Sequence, residues 1–366
     1  MRMRLGSSSA RARLWQGSLL AASVLLARPA SAQVALNVFG DIDYQATRDA
    51  SDPATGAPRT SNAFSSPRVE LFLTSTQGKL AFLAETMFEV GEGNQFGIDM
   101  ERIEVGYLFS DLFRLRVGRF HTAIGYYNDA YHHGRYFQMT VDRPTMVRFE
   151  DEGGLIPAHS VGVHADGRFA LGGAGSLRYD AEVTNGRGSI PDEVTNLDDP
   201  NNGKMYNLRL RVEPTLLDGL ILGGSATFDR ISPLAAASIR ELIFGAHVVY
   251  LENSLHIIGE YLNISHETGG WTGVTQAAFL ELGREFGRFL PYLRGEWVKF
   301  PADNLTNDPF FAQNVLFLTR GSSKSGIVGL RVTMSDYLAV KLEGEYVDRD
   351  SGNSIKTVAA QCAFAF

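Results

Sequence analysis

A transmembrane antiparallel β-barrel of about 16 strands is the fold class this sequence predicts, and three observations predict it. Apolar and polar side chains alternate with period two over most of the chain. No stretch beyond the first 32 residues is apolar enough to span a bilayer as a helix. Connections between the alternating segments switch between tight turns and long polar loops, as they do when hairpins close a barrel with two unlike rims.

The N-terminus is set apart. Arg2, Arg4, Arg11 and Arg13 precede an apolar run from Leu19 to Leu26, and Ala30-Ser31-Ala32 follows. A charged start, a short apolar centre and small residues at a cleavage position make residues 1–32 a signal peptide, leaving 33–366 as the barrel. Without the five arginines of that segment the chain carries 29 basic against 41 acidic side chains, a balance of −12. Such a chain lacks the basic footprint that nucleic acid requires, so no nucleic-acid partner is expected. The single cysteine, Cys362, excludes an intramolecular disulfide framework and any cysteine-based zinc site.

The strands follow in order. Leu36, Val38, Ile42 and Tyr44 alternate with Asn37, Asp41, Asp43 and Gln45 in the first. Tyr206, Leu208, Leu210 and Val212 do so with Asn207, Arg209, Arg211 and Glu213, and Val340 to Tyr346 repeats the pattern. Sixteen such segments begin near residues 34, 66, 79, 100, 113, 159, 175, 204, 219, 239, 255, 272, 288, 324, 337 and 355. Tight turns at 76–78, 110–112, 252–254, 287 and 335–336 alternate with long connections at roughly 46–65, 122–158, 185–203 and 301–323. The chain ends on a strand, "TVAAQCAFAF", with Phe364 and Phe366 on one face. Pairing it with the first strand removes both sheet edges, which lipid requires.

With parity assigned, Asp41, Asp43, Arg68, Glu70, Glu85 and Glu89 point inward from the first three strands. Arg102, Glu104, Arg114, Arg116, Arg178, Asp180, Glu182, Arg209, Arg211 and Glu213 follow from the next five. Later strands add Glu260, Glu281, Glu296, Glu343 and Glu345, offset by Arg294, Arg331 and Lys341. Both signs on an inner wall fit a water-filled lumen, and their uneven distribution fits a transverse field.

One connection stands out. Residues 122–158 form the third outer loop, the longest, and hold Tyr126, Tyr127, Tyr131, His132, His133, Arg135, Glu150, Asp151 and Glu152. A loop of this length with so many aromatics is functional more often than not, and the barrel interior is where its rings would bury. Tyrosines there would bury the ring and present the hydroxyl to pore water. His132 and His133 are adjacent, so their rings diverge, and no third ligand sits at a fixed spacing. No metal or other cofactor is expected. A lipid-facing hydrolase would need a Ser/His pair with an orienting partner, and no spacing singles out His121, His159 or Ser160.

In overall plan the chain resembles the 16-stranded Gram-negative porins, whose third outer loop folds inward. Locally "RLRVGRFHTAIGYYN", residues 114–128, resembles the phosphate-selective porin O and P family, with Ala123 where that pattern prefers proline. The resemblance implies a pore lined by basic ladders, with Arg114, Arg116, Arg209 and Arg211 as the nearest counterparts. It also implies a trimer of identical chains and recognition of the strand ending at Phe366 by barrel-assembly machinery. The lysine-poor composition and acidic first strands depart from the pattern.

The expected function is a non-enzymatic porin in the outer membrane of a Gram-negative-type bacterium, surrounded by lipid and passing small anionic or dipolar solutes. Arg102, Arg114, Arg116, Arg178, Arg209 and Arg211, with the loop residues named above, are its expected lining and constriction. A loop-plugged barrel with a structural or adhesive role is the alternative, and an outer-membrane enzyme a further one.

Overall fold

The computed structural model describes residues 33–50, 57–65, 67–91, 95–131, 134–194, 196–197, 199, 201–234, 236–301, 307–314, 316–317 and 321–366. The signal-peptide segment, His132 and His133 lie outside the described residues.

Every strand pairs antiparallel with its neighbours in one continuous sheet. In chain order these are β1 (Gln33–Asp49), β2 (Arg59–Phe64), β3 (Arg68–Gln77), β4 (Leu80–Gly91), β5 (Gln95–Ser110), β6 (Phe113–His121), β7 (His159–Ala170), β8 (Gly175–Thr184) and β9 (Met205–Pro214). The second half contains β10 (Leu220–Ile231), β11 (Ile239–Glu252), β12 (Leu255–Thr268), β13 (Trp271–Arg284), β14 (Phe289–Lys299), β15 (Ser323–Ser335), β16 (Leu338–Arg349) and β17 (Ser354–Ala365).

Closure comes from β1, which pairs β17 from Phe39↔Ala365 to Asp49↔Ile355. The other edge of β1 faces β2 through Tyr44–Asp49 and β3 through Gln33–Asp41. β2 and β3 are therefore two halves of one barrel strand, and the wall is the 16-stranded closed barrel expected. The chain end completes the seam, with Phe366 and Val38 exchanging backbone hydrogen bonds at 2.8 and 2.9 Å.

One rim carries only short connections, such as 78–79, 111–112, 253–254 and 336–337. The opposite rim carries 122–158, 185–204 and 300–322, and differs from expectation in its shorter connections. The first long connection shrinks to 50–58, because β1 and β2 extend into it as a hairpin. The connection at 269–270 is a two-residue turn in which Gly269 and Gly270 both hold positive φ, +51° and +88°. Such a turn matches the twist of its strands and needs residues without a Cβ penalty.

The outer face is apolar: Leu36, Val105, Leu210, Leu280, Val328 and Leu342 are all exposed there. Phe364 lies on that face and Cys362 beside it is exposed. The inner face is divided. From β1 to β9 it holds charged rows. From β10 to β14 apolar inward positions alternate with polar ones, and Ile231, Ile239, Ile243, Leu262, Ala277 and Phe279 are all buried. They form one cluster with Ile124, Tyr127, Met146, Val147, Leu155 and Ile156 of the 122–158 connection. A dry core therefore occupies one side of the barrel.

A β-bulge alters the inner list. Glu85 faces Arg102 but Thr86 faces Met100, so Glu101 is skipped. Two successive residues, Glu101 and Arg102, then face inward.

Candidate functional site: the lumen and its inserted loop

The 122–158 connection enters the barrel and is bonded to wall residues around its circumference. Five glutamates from five strands accept its backbone N–H groups. Glu182 of β8 takes Ala123 at 2.9 Å, and Glu260 of β12 takes Tyr126 at 3.0 and Tyr127 at 2.5 Å. Glu70 of β3 takes Gly134 at 2.8 Å. Glu343 of β16 takes Val141 and Glu296 of β14 takes Thr145, both at 2.9 Å.

Wall cations serve the loop's carbonyls. Arg209 donates to Gly125 at 2.8 Å, Lys341 to Arg135 and Thr140 at 2.6 and 2.7 Å, and Arg294 to Asp142 at 2.8 Å. Arg331 donates to Tyr136 at 3.1 Å, and Arg187 of the 185–204 loop to Leu155 at 2.5 Å. A loop has no ladder of its own, so a buried one must find partners for its backbone elsewhere, and charged partners make the stronger bonds. Local conformation cooperates. Gly125 has φ +72°, and a Cβ there would come within 2.1 Å of a Glu260 carboxylate oxygen.

The residues expected to line the path divide into groups. Arg102 bonds Glu85 at 2.5 Å and lies 4.9 Å from the Phe72 ring centre. Arg114 pairs with Asp166, Arg116 with Glu104 and Asp166, and Arg178 with Glu213. Arg211 shares Asp180 with Arg209. Arg209 itself is wholly buried and also binds Asp129 at 2.8 Å. Burial opposes ionisation of Asp129, but the Arg209 guanidinium overrides it and holds that carboxyl below its ordinary value.

Within the loop, the short helix α1 (Tyr127–Ala130) puts Tyr127 into the dry core, edge-on to Phe279 with ring centres 5.7 Å apart. At 1% exposure its hydroxyl does not reach pore water, which corrects the expectation for this tyrosine. Tyr126 and Tyr131 pack at the edge of the same cluster. Tyr136 reaches the short-turn rim and donates to the Asp336 carbonyl at 2.9 Å. Arg135 is buried between Asp43 at 3.3 Å and Asp142 at 3.1 Å. Glu150 turns back on its own loop and accepts the Ala158 and His159 N–H groups at 2.6 and 3.1 Å.

Cavities remain on the charged side. One of about 460 Å³ lies between the loop and β1–β4, bordered by Asp43, Arg68, Glu89, Arg135, Asp142 and Glu152. A smaller one of about 220 Å³ shares Arg68, Glu89, Arg135 and Glu152 with it and reaches Asp151. Burial first, and the adjacent Glu152 and Glu150 second, push the Asp151 carboxyl up to about 6. At the long-loop end a cavity of about 470 Å³ shares Thr47, Ser61 and Glu152 with the first. Beneath the loop, toward the short-turn rim, a cavity of about 840 Å³ is bordered by Arg114, Arg116, Arg178, Arg211, Asp129 and Asp166.

No family model matches the chain, and no curated protein matches it in sequence. Solved structures do. OmpT, an outer membrane protein of Vibrio cholerae in its trimer form, superposes with a TM-score of 0.59 at 11% identity, over 92% of this chain and 99% of that one. The outer membrane channel DcaP of Acinetobacter baumannii gives 0.58 at 10% identity, over 93% and 99%. OmpF of Salmonella typhi, in complex with daunomycin, gives 0.57 at 12% identity, over 90% and 97%. The fold is that of an outer-membrane barrel.

Several residues of the site escape a reading by strand parity. Glu101, at the bulge, bonds His159 at 2.7 Å. Arg187 of the 185–204 loop bonds Glu241 at 2.9 Å, and Glu241 bonds His266 at the same distance. Asp308 bonds the other side of His266 at 2.8 Å and accepts the Phe310 and Phe311 N–H groups. Neither loop residue lies on a strand, and only "NGRGS" and "NDPFF", turn-forming strings around a charge, mark them in sequence. Ser160 accepts from the Thr184 hydroxyl at 3.2 Å.

Proposed function

We propose that this chain is an outer-membrane porin, exported by the 1–32 signal peptide, that passes small solutes by passive diffusion without a covalent step or cofactor. One observation carries the reading: the inserted loop packs dry against β10–β14 and leaves water-sized space along the charged wall opposite. The lining alternates in sign. Arg59, Arg148 and Arg349 outnumber Asp49 and Glu152 at the long-loop end. Asp43, Glu89, Asp142 and Glu152 outnumber Arg68 and Arg135 in the middle. Five arginines face four aspartates below. Such zones favour dipolar solutes over simple anions, because a solute with both signs finds a partner at each level. Of the two expected solute classes, anionic and dipolar, the dipolar one is thus the better supported.

The counterparts of a basic ladder, Arg114, Arg116, Arg209 and Arg211, are each paired with a carboxylate. Phosphate selectivity is therefore not part of the proposal. A trimer is, supported by the trimer form of the Vibrio cholerae neighbour.

The plug reading has its own observation: Arg209, Arg294 and Lys341, all lumen-facing, are at most 2% exposed. Single-channel recording in planar bilayers separates the two. Stable open steps from protein that shifts mobility on boiling support the channel, and silent bilayers from the same folded protein overturn it in favour of the plug.

A further inference from the structure

The cavity of about 470 Å³ at the long-loop end has two unlike walls. Leu155 of the inserted loop and Phe300 and Phe317 of the 300–322 loop form the apolar wall, all three buried at 5% exposure or less. Arg59 of β2, Arg349 of β16 and Arg148 of the inserted loop stand on the other.

These arginines are not equivalent. Arg349 is bonded to Asp49 across the seam. Arg148 lines the cavity half-buried, and among the described residues its guanidinium has no ion pair and no hydrogen-bond acceptor. It is held there by its neighbours. Val147 before it is fully buried in the dry core, and its own N–H bonds the Thr145 carbonyl, closing the turn at Thr145–Val147. Arg114, Arg116, Arg178, Arg209 and Arg211 each meet a carboxylate, whereas the carboxylates of Asp142, Glu345, Glu296 and Glu152 act on Arg148 from beyond ion-pair distance.

We propose that this cavity binds the carboxylate end of an amphipathic solute, the carboxylate taken by Arg148 and an apolar or aromatic body laid on Phe300 and Phe317. Guanidinium and carboxylate match in a two-bond fork, and a lone guanidinium beside buried rings is better satisfied by such a solute than by water. The volume falls in the range of small-molecule sites, large enough for one or two fused rings. The proposal rests on the channel reading and names a solute class for its outer mouth, where the solute would be held before passing Glu152 into the next cavity.

The test is titration calorimetry of the folded full-length barrel in detergent with 1-naphthoate, 1-naphthalenemethanol and acetate. The proposal expects naphthoate to bind at least tenfold more tightly than either other probe. Arg148→Ala should lose at least tenfold of that affinity, Arg148→Lys should keep part of it, and Phe317→Ala should weaken naphthoate while leaving acetate unchanged. Equal binding of naphthoate and the alcohol would mean partition into detergent or the apolar belt and overturn the site. Unchanged affinity in a folded Arg148→Ala barrel, checked by its mobility shift on boiling, overturns it as well. Bilayer recording of the same preparation keeps the two readings apart: conductance without titration removes only the site, and titration without conductance removes only the channel.

Discussion

The two sides of this barrel use the same strand geometry for opposite purposes. From β1 to β6 inward charges come in rows, such as Asp41 and Asp43 or Arg114 and Arg116, and pair with one another beside open cavities. On β12 Glu260 stands alone between Ile258 and Leu262, while Glu281 of β13 and Glu296 of β14 share the buried Arg294 at 3.4 and 2.6 Å. An isolated carboxylate in a dry row needs a donor from outside the sheet, and the loop backbone supplies it to Glu260. Inward charge is therefore not one signal. Rows such as Asp41 and Asp43 border the cavities, and the singleton Glu260 marks a place where the loop docks.

The comparison breaks most visibly if the packed side is emptied. Replacing residues 124–156 with a short glycine-serine linker should raise single-channel conductance several-fold, and an unchanged conductance would mean that the loop does not narrow the lumen. Next in size, Arg209→Ala leaves Asp129 and Asp180 without their buried partner and should cost about 3–5 kcal/mol in denaturant unfolding. Glu260→Ala leaves two buried N–H groups unpaired and should cost about 2–4 kcal/mol. Glu89→Ala on the wet side should stay within about 0.5 kcal/mol, and an equal loss at both glutamates would erase the distinction.

Selectivity should follow the wet side. Arg114→Ala with Arg116→Ala should move reversal potentials toward cations, whereas Arg209→Ala should chiefly increase current noise. The smallest effect concerns pH. The Asp151 carboxyl is neutral below about 6 and ionised above it, so raising pH through that point adds one negative charge to its cavity. The cation-to-anion permeability ratio should then rise by less than about twofold, a change expected from one partly screened charge. Asp151→Asn should flatten the step, and a step that persists would assign it to another group.

Strand number, closure and the insertion of the third loop were legible in the sequence because period-two alternation and loop length carry them directly. The 16 expected starting positions fall on the 16 barrel strands, with β2 and β3 counted as one. Glu101 was not legible, since a bulge changes parity without changing composition. The role of Glu182, Glu260, Glu296 and Glu343 was hidden for another reason. Alternation says that they face inward, but their partners are backbone N–H groups of a distant loop, which every residue type offers alike. Tyr127 misled because a tyrosine suits both a wet surface and a dry core, and only the apolar row containing Phe279 decides between them.

The five glutamates that receive the loop lie on β3, β8, β12, β14 and β16, spread from near the start of the chain to near its end. Until β17 has joined β1, those acceptors do not surround a common space. The loop is made early but can be seated only late, so the barrel is a mould that must be finished before its insert is set. Its seating would serve as a proofreading step, because a barrel joined in the wrong register would offer the loop a broken ring of acceptors and stay soft at its centre.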